Sequence, residues 1–225
     1  MATTQIYQNE GNPALIDLLD GGTLRILDIG CGAGDNARLA RSRNPDRNVF
    51  GITQSEPEAI IARAHMAACW VFDIEKDLPD ALRELKFDAM IFSHVLEHLR
   101  EPAAVLARFL KLLEPGGVIL IAVPNILSYR MRWQFLLGNF EYQSGGELDR
   151  THLRFLTYKT ARQFVLPAAE GLKVHYYGVT GSVPLFVFRR HLLPPRWSAS
   201  IDAWGCRHWP NLFGSQILIK ASTTS

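Results

Sequence analysis

The sequence lacks the features that mark membrane-spanning and disulfide-rich proteins. No hydrophobic run approaches the roughly 18 residues that a membrane-spanning helix requires. Only three cysteines are present, Cys31, Cys69 and Cys206, and their spacing fits neither a metal motif nor a disulfide framework. Residues 1–5 do not begin a basic segment followed by an apolar one, which is the pattern of a secretory signal peptide. These absences predict a cytoplasmic protein with reduced thiols and no membrane span.

The chain also lacks a strong charge of either sign. Its 225 residues include 24 Lys and Arg against 22 Asp and Glu, so the net charge is only +2. Such a small charge does not indicate a nucleic-acid partner. Ten of the basic residues, however, lie between residues 126 and 197, together with only four acidic ones. A basic region of this kind would suit an anionic substrate, and a solvated helix surface explains it equally well.

A glycine-rich turn organises the rest of the sequence. Residues 24–29 form a short apolar run of the kind that predicts a strand buried on both faces. Three glycines at alternate positions follow, Gly30, Gly32 and Gly34, and residues 36–41 then favour a helix. A strand, a glycine turn and a helix N-terminus together form a cradle in which a nucleotide can approach the main chain closely.

Two carboxylates beside this turn indicate which nucleotide it binds. The dinucleotide fingerprint Gly-x-Gly-x-x-Gly places its third glycine one residue later than Gly34. Asp28 lies at the strand end, and Asp35 at the helix start would compete with a pyrophosphate for the helix N-terminus and repel it. A ligand with cationic groups and no phosphate is compatible with both carboxylates. S-adenosylmethionine, which carries a sulfonium and an ammonium group, fits this description.

The pattern Asp-x-Gly-x-Gly-x-Gly over residues 28–34 resembles the first motif of the class I S-adenosylmethionine-dependent methyltransferases. The Phe-Asp and Val-Leu-Glu-His elements of residues 87–98 and the Leu-Glu-Pro-Gly-Gly turn of residues 113–117 extend the resemblance over residues 24–124. It implies S-adenosylmethionine as the cofactor and S-adenosylhomocysteine as the product. The residues that it implies for cofactor binding are Asp28, Gly30, Cys31, Gly32, Gly34, Asp35, Thr53, Gln54, Asp73, Ile74, Ser93 and His94.

The second predicted strand departs from the family pattern. In these methyltransferases it commonly ends in an acidic residue that binds both ribose hydroxyls, whereas Thr53 and Gln54 stand here. A neutral partner forms weaker hydrogen bonds than a carboxylate, and Glu56 is close enough in sequence to substitute for it. The acid after the third strand, Asp73, matches the family position that accepts the adenine amino group, with Ile74 beside it.

The alternation of apolar and amphipathic segments predicts a single α/β domain over residues 1–225. The resemblance implies a doubly wound, Rossmann-like sheet of seven strands in the order 3-2-1-4-5-7-6, with the last strand antiparallel and helices on both faces. Predicted strands occupy residues 24–29, 48–53, 69–72, 87–93, 118–123, 172–177 and 215–221. Predicted helices occupy residues 13–19, 36–42, 58–66, 78–85, 102–113, 126–137 and 158–170.

This domain divides into parts with different expected roles. They are a helical preface (1–22), a cofactor-binding core (24–123), a substrate-side insertion (124–157) and a C-terminal part with a helix and the last two strands (158–225). Residues 179–214, within the C-terminal part, are rich in Pro, Trp and Arg. This insertion could contact a membrane surface peripherally, but we favour packing of its aromatic residues on their own domain.

The segment after the fifth strand is expected to bind the methyl acceptor, because a long insertion is usually functional. Its Pro-Asn, Gly-x-Phe-x-Tyr and Asp-Arg-Thr-His-Leu-Arg-Phe elements, over residues 124–157, resemble a bacterial group related to the methionine-biosynthesis MetW proteins and to enzymes encoded with cell-surface sugar genes. His152 or His94 is the expected general base for a hydroxyl acceptor. The expected acceptor-binding residues are Asn125, Tyr129, Asp149, Arg150, His152 and Arg154.

The sequence His-x-x-Glu-His at residues 94–98 places three potential metal ligands on one face if this segment is helical. Ubiquinone-pathway O-methyltransferases have a similar Glu-x-x-Glu-His that binds a divalent metal, but the first ligand differs here. Because a site with few carboxylates suits magnesium badly, we expect no metal.

These observations predict an enzyme that transfers a methyl group to an oxygen or nitrogen nucleophile of a small molecule, such as a sugar or an anionic metabolite. Methylation of a protein or RNA is an alternative, but residues 125–128 lack the Asn/Asp-Pro-Pro-Tyr/Phe motif of amino-nitrogen methyltransferases. A binding protein that keeps the fold without catalysis is a second alternative, which the missing acid at Thr53 supports. We expect a monomer or a homodimer without a nucleic-acid partner.

Overall fold

One mixed sheet of seven strands forms the framework of the protein. The computed structural model describes residues 10–165 and 172–223. The strands are β1 (Arg25–Ile29), β2 (Asn48–Thr53), β3 (Ala68–Val71), β4 (Phe87–Ser93), β5 (Leu113–Pro124), β6 (Leu172–Gly181) and β7 (Gly214–Thr223). Their order in the sheet is β3-β2-β1-β4-β5-β7-β6, which confirms the order expected from the sequence.

The carboxyl ends of six strands meet at one edge of this sheet. β1 to β5 pair in parallel, and β7 pairs antiparallel with both β5 and β6. β6 therefore runs in the same direction as β5, and the first residues of β7 lie at the carboxyl edge. In this register Gln216 of β7 is paired with Pro124 at the end of β5. Ligands bind at this edge in doubly wound sheets.

The helices lie close to where the sequence predicts them, although most are shorter. They are α1 (Pro13–Ile16), α2 (Asp35–Arg43), α3 (Glu56–Ala62), α4 (Asp80–Arg83), α5 (Pro102–Leu110), α6 (Tyr129–Leu136), α7 (Tyr158–Val165), α8 (Phe186–Leu192), α9 (Pro195–His208) and α10 (Pro210–Phe213). α5 ends early because β5 begins at Leu113. The helix predicted over residues 158–170 is described as far as Val165, and residues 166–170 lie outside the described residues.

Two hydrophobic clusters cover the two faces of the sheet. Leu27 and Ile29 of β1 contribute to one cluster, and Ile26 contributes to the other. All three side chains are fully buried. Successive residues of a strand point to opposite faces, so both faces of β1 are covered. The prediction that this strand is buried on both faces is confirmed. The central strands therefore form a rigid base for the loops at the carboxyl edge.

The insertion between β6 and β7 is helical, which the sequence analysis did not predict. α8, α9 and α10 occupy most of residues 182–213. Trp197, Trp204 and Trp209 are 58%, 54% and 49% exposed, so packing of these aromatic side chains on their own domain is only partial. No helix among the residues described here has the length and apolar character needed to cross a bilayer.

Candidate active site

A large cleft opens at the carboxyl edge of the sheet. Its volume is about 1370 Å³, and its walls come from the glycine turn, the ends of β2 to β5 and the start of β7. Ten of the twelve expected cofactor-binding residues line it, all except Asp28 and Gly34. Two of the expected acceptor-binding residues, Asp149 and His152, line it as well. The fold therefore brings together residues that are widely separated in the sequence.

The glycine turn has a shape that only glycine permits. Gly30, Gly32 and Gly34 have φ values of 73°, 53° and 89°, in the left-handed region that disfavours other residues. A Cβ atom on Gly30 would lie 2.5 Å from Cγ2 of Val95. The turn thus exposes the main chain to the cleft immediately before the first helical residue of α2. Such a cradle fits a nucleoside ligand that approaches the backbone.

Asp28 lies beneath this turn and not in the cleft. Its side chain is fully buried, and neither carboxylate oxygen forms a well-aligned hydrogen bond with the described residues, although the nearby Asn36 side chain offsets part of the effect of burial. Burial raises the pKa of Asp28 to about 7. The structure therefore does not place Asp28 in direct contact with a ligand in the cleft.

Two free thiols, Cys31 and Cys69, lie beside the glycine turn, and Cys31 is the one that lines the cleft. Sγ of Cys31 lies 3.7 Å from Sγ of Cys69, although the two residues are 38 positions apart. Both side chains are buried, and neither forms a disulfide. The interaction with Cys69 and the burial of its own side chain raise the pKa of Cys31, so this thiol is protonated and unreactive at neutral pH.

The end of β2 carries a carboxylate that the sequence analysis missed. The hydroxyl of Thr53 donates a hydrogen bond of 2.7 Å to Oε2 of Glu58, and both residues are buried and line the cleft. Glu56, the substitute suggested by the sequence, is instead exposed and forms a 2.7 Å ion pair with Arg63. The carboxylate at this position of the cleft therefore comes from the first turn of α3.

The next strand end supplies Asp73. Oδ1 of Asp73 accepts hydrogen bonds from the backbone N–H of Glu75 at 3.0 Å and from Nε2 of Gln54 at 3.4 Å. Ile74 follows it in the cleft wall. The two residues predicted to contact adenine are thus held at the same end of the cleft as Thr53.

A buried carboxylate and an imidazole form the opposite end. Nδ1 of His94 lies 3.3 Å from Oε1 of Glu97, whose side chain has no solvent exposure. Nε2 of His94 lies 3.0 Å from Oε1 of Gln216 on β7. Partial burial lowers the pKa of His94, but the Glu97 carboxylate outweighs this effect and leaves the pKa raised. His94 has a φ of 57°, a left-handed conformation that directs its ring into the cleft.

Glu97 belongs to a short 3₁₀ turn, Leu96–His98, and not to the α-helical turn considered from the sequence. Its two oxygens receive no well-aligned hydrogen bond from the described residues. Its backbone carbonyl accepts a hydrogen bond of 2.9 Å from the N–H of Leu153. This bond holds the substrate-side insertion against the turn.

The insertion brings His152 and Asp149 to the same place. Nε2 of His152 lies 4.0 Å from Oε1 of Glu97. Thr151 donates a 2.5 Å hydrogen bond to Oδ1 of Asp149, and its hydroxyl lies 2.9 Å from Nδ1 of His98. Burial raises the pKa of Asp149, but hydrogen bonds from the hydroxyl and from the backbone N–H of Thr151 outweigh it, so the net shift is downward. Burial lowers the pKa of His98, which favours its neutral form.

Three of these side chains could hold a metal ion. Glu97, His98 and His152 each offer a ligand atom, and the three atoms lie within 4.8 Å of one another. Imidazole nitrogens with one carboxylate suit zinc or another first-row transition ion better than magnesium. The sequence pattern grouped His94 with Glu97 and His98 as potential metal ligands, and in the structure His152 replaces His94 in that group. The expectation that no metal is bound stays a prediction.

Four of the expected acceptor-binding residues do not line the cleft. Asn125 is fully buried, and its Nδ2 donates a 2.8 Å hydrogen bond to the carbonyl of Gly214. It therefore ties the end of β5 to the start of β7. The ring of Tyr129 packs against Phe213 with a centroid distance of 6.2 Å, so it joins α6 to α10.

The two arginines expected to bind the acceptor also lie outside the cleft lining. Arg150 is exposed and outside the cleft lining. The guanidinium of Arg154 lies 4.9 Å from the ring centre of Phe164 and donates to the carbonyl of Arg100. These contacts give Arg154 a structural role in holding the insertion to the domain.

Comparison with known proteins agrees with this architecture. The profile of the family described as "Methyltransferase domain" matches residues 7–168. A ubiquinone biosynthesis O-methyltransferase from Neisseria meningitidis is 33% identical over 124 residues, which cover 51% of each chain. A trans-aconitate 2-methyltransferase from Acidovorax is 29% identical over 103 residues, which cover 46% of this chain and 39% of the relative. The aligned regions thus span about half or less of these curated relatives.

A solved structure extends the similarity to most of the chain. The plantazolicin methyltransferase BpumL, in a complex that contains S-adenosylhomocysteine, superimposes with a TM-score of 0.58. The alignment covers 95% of this chain and 80% of that protein at 18% identity. At this identity the likeness concerns the fold, including the sheet and the helices on both of its faces.

Proposed function

Because this chain belongs to the class I S-adenosylmethionine-dependent methyltransferases, we propose that it methylates an oxygen or nitrogen nucleophile of a small molecule. The observation that carries the proposal is the buried Glu97 carboxylate, which lies against His94 and His152 in the cleft that also contains the glycine turn. A charge without a well-aligned hydrogen bond is costly to bury in a protein interior. Such a group is expected where it takes part in the function.

The residues at the glycine-turn end fit the nucleoside part of the cofactor. The main chain of residues 30–34 can be approached closely, and Asp73 provides a carboxylate for the adenine amino group. Asp35, in the first turn of α2, lies in the cleft wall and would attract the cationic amino-acid part. When bound, S-adenosylmethionine supplies an electrophilic methyl group and a neutral thioether as the leaving group.

The histidines at the other end can accept the proton of an acceptor hydroxyl or amine. Glu97 orients His94 through Nδ1, and Oε1 of Gln216, which is itself a hydrogen-bond acceptor, pairs with Nε2 only once that nitrogen carries the proton taken from the methyl acceptor. A positive charge that develops on His94 or His152 would be stabilised by the buried carboxylate between them. Since a thioether leaves without protonation, no general acid is required, and alignment of the acceptor accounts for much of the remaining rate.

The side chains around His152 favour an uncharged acceptor. Its imidazole lies 6.5 Å from the ring of Phe155, which in turn lies 6.1 Å from the ring of Phe140. These two rings are 37% and 51% exposed but lie outside the cleft lining, so they form an aromatic surface next to His152 and not a wall of the acceptor site. Acidic side chains, Glu147 and Asp149, lie in the same part of the cleft. We therefore prefer an uncharged acceptor to the anionic metabolite that the charge distribution of the sequence suggested.

Cofactor binding is tested first, and methyl transfer is tested second. Calorimetry with S-adenosylhomocysteine is expected to show micromolar binding, and S-adenosylmethionine labelled in its methyl group should then label uncharged alcohols, phenols or amines. Oxygen is the atom named for the ubiquinone biosynthesis relative, so phenols and sugar hydroxyls come first in the screen. Absence of binding to both cofactor forms would contradict the proposal. Binding without transfer to any acceptor class would favour a non-catalytic protein.

A further inference from the structure

We propose that Glu58 binds the ribose hydroxyls of the cofactor, in place of a carboxylate at the end of β2. The inference rests on the proposed function and concerns the end of β2, where the sequence departs from the family pattern. Thr53 occupies that strand end, and its hydroxyl donates to Oε2 of Glu58 at 2.7 Å. The strand end is thus neutral, but a carboxylate reaches it from α3.

The start of α3 explains how Glu58 reaches this position. Ser55 caps the helix, and its hydroxyl oxygen accepts from the N–H of Glu58 at 3.4 Å. The hydroxyl of Thr53 also accepts from the N–H of Ser55 at 3.2 Å. These bonds fold the first turn of the helix back over the last residue of β2. The side chain of Glu58 is therefore fixed before a ligand arrives, at 6% exposure within the cleft wall.

A carboxylate in this place has the right chemistry for a vicinal diol. It can accept one hydrogen bond from each of two adjacent hydroxyls, and a hydrogen bond to a charged acceptor is roughly twice as strong as a neutral one. Shielding from solvent strengthens it further. Thr53 is a positioning residue, because its hydrogen bond to Oε2 orients the carboxylate of Glu58.

Neighbouring acids do not offer the same combination. Glu56 pairs with Arg63 at 2.7 Å on the exposed side of α3 and is absent from the cleft wall. Asp73 follows β3 and accepts from the N–H of Glu75 and from Gln54, at the position expected for adenine. Of these acids, only Glu58 is buried beside the end of β2.

The test measures how strongly each variant binds S-adenosylhomocysteine and an analogue without the 2′- and 3′-hydroxyls. For Glu58→Ala we expect a loss of about 100-fold in affinity for the natural ligand, and for Glu58→Gln about 10-fold, from the usual strength of hydrogen bonds to charged groups. Both variants should bind the dideoxy analogue as the unmodified protein does. Glu56→Gln is the matched control, and it should change neither affinity by more than about twofold.

The outcomes separate this inference from the proposed function. Equal losses on both ligands would show that Glu58 acts on the fold and not on the ribose, and unchanged affinity in Glu58→Gln and Glu58→Ala would overturn the inference directly. If Glu58→Ala does not fold, Glu58→Gln decides, because it preserves the shape and the contact with Thr53. Failure of the unmodified protein to bind S-adenosylhomocysteine would overturn the proposed function instead.

Discussion

Nδ1 of His94 lies 3.3 Å from a carboxylate oxygen of Glu97 that is completely shielded from solvent. The pair joins the end of β4 to the 3₁₀ turn after it, and His94 adopts a left-handed backbone conformation to form it. A strained residue at the mouth of a cleft persists only when its surroundings hold it there. The contact thus links backbone geometry to the chemistry that we propose for this end of the cleft.

Replacement of Glu97 by Gln should lower kcat about 100-fold, since an amide cannot stabilise a positive charge on either neighbouring histidine. KM for the acceptor should change little because the side chain keeps its size. Initial rates with a saturating cofactor concentration measure both constants. Glu114→Gln, an exposed position at the opposite edge of the sheet, serves as the control. A kcat equal to that of the unmodified enzyme would exclude Glu97 from the proton transfer.

Replacement of Gly30 by Ala should abolish cofactor binding. The new Cβ would lie 2.5 Å from Cγ2 of Val95, and the φ of 73° adds strain that typically costs about 1–3 kcal/mol. Calorimetry with S-adenosylhomocysteine measures the loss. Gly21→Ala is the control, because no atom lies within 4 Å of its added Cβ. Removing the clash in the double variant Gly30→Ala/Val95→Ala should restore part of the affinity, and normal binding by Gly30→Ala alone would contradict the assignment of the cradle.

Stability of the ligand-free protein should fall as the pH rises from about 4 to about 7. The pKa of Asp28 is raised from its ordinary value of 3.8 to about 7 by burial, so the folded state keeps a proton that the unfolded chain has already released. The fall amounts to a few kcal/mol, at about 1.4 kcal/mol for each unit of pKa difference. Urea denaturation at a series of pH values measures it.

Asp28→Asn should remove most of this slope, because the amide does not titrate. Asp46→Asn, at an exposed turn position, should keep the slope of the unmodified protein. If Asp28→Asn and the unmodified protein lose stability in parallel between pH 4 and 7, the raised pKa of Asp28 is disproved.

Replacement of Asn125 by Ala should lower the free energy of unfolding by about 1–3 kcal/mol. It should leave KM for the acceptor unchanged. The variant leaves the buried carbonyl of Gly214 without its 2.8 Å hydrogen bond, and an unsatisfied buried group has a cost of this size. Thermal unfolding measures the loss, with the exposed Asn139→Ala as the control. A normal melting temperature together with a raised KM for the acceptor would return Asn125 to the acceptor-binding role expected from the sequence.

The sheet was predictable because its information is local. The bounds predicted for β2, Asn48–Thr53, and for β4, Phe87–Ser93, are those of the structure, since each is an apolar run between turn signals. The helices of residues 182–213 were missed because this segment is rich in proline and exposed tryptophan and lacks a clear apolar period. Its fold depends on contacts such as the 2.8 Å bond from the N–H of Val183 to Asp202.

The cleft was predictable only where a motif marks it. The motif of the glycine turn identifies the cofactor-binding end of the cleft directly from the sequence. Glu58 was missed because the direction of its side chain depends on the cap of α3, and Gln216 because it approaches His94 from 122 positions away along the chain. The cytoplasmic location, the oligomeric state and the absence of a metal stay predictions.

The placement of β7 between β5 and β6 also governs when the site can form. Nδ2 of Asn12 donates to Oε1 of Gln216 at 2.8 Å across 204 positions of sequence, and both residues line the cleft. Contacts over such sequence separations form late in folding, because a long loop must close first. During synthesis the glycine turn emerges well before β7, but the edge around His94 stays incomplete until β7 has left the ribosome and inserted into the sheet. A nascent chain of this protein therefore acquires its complete cofactor pocket only after nearly all of its described length has been translated.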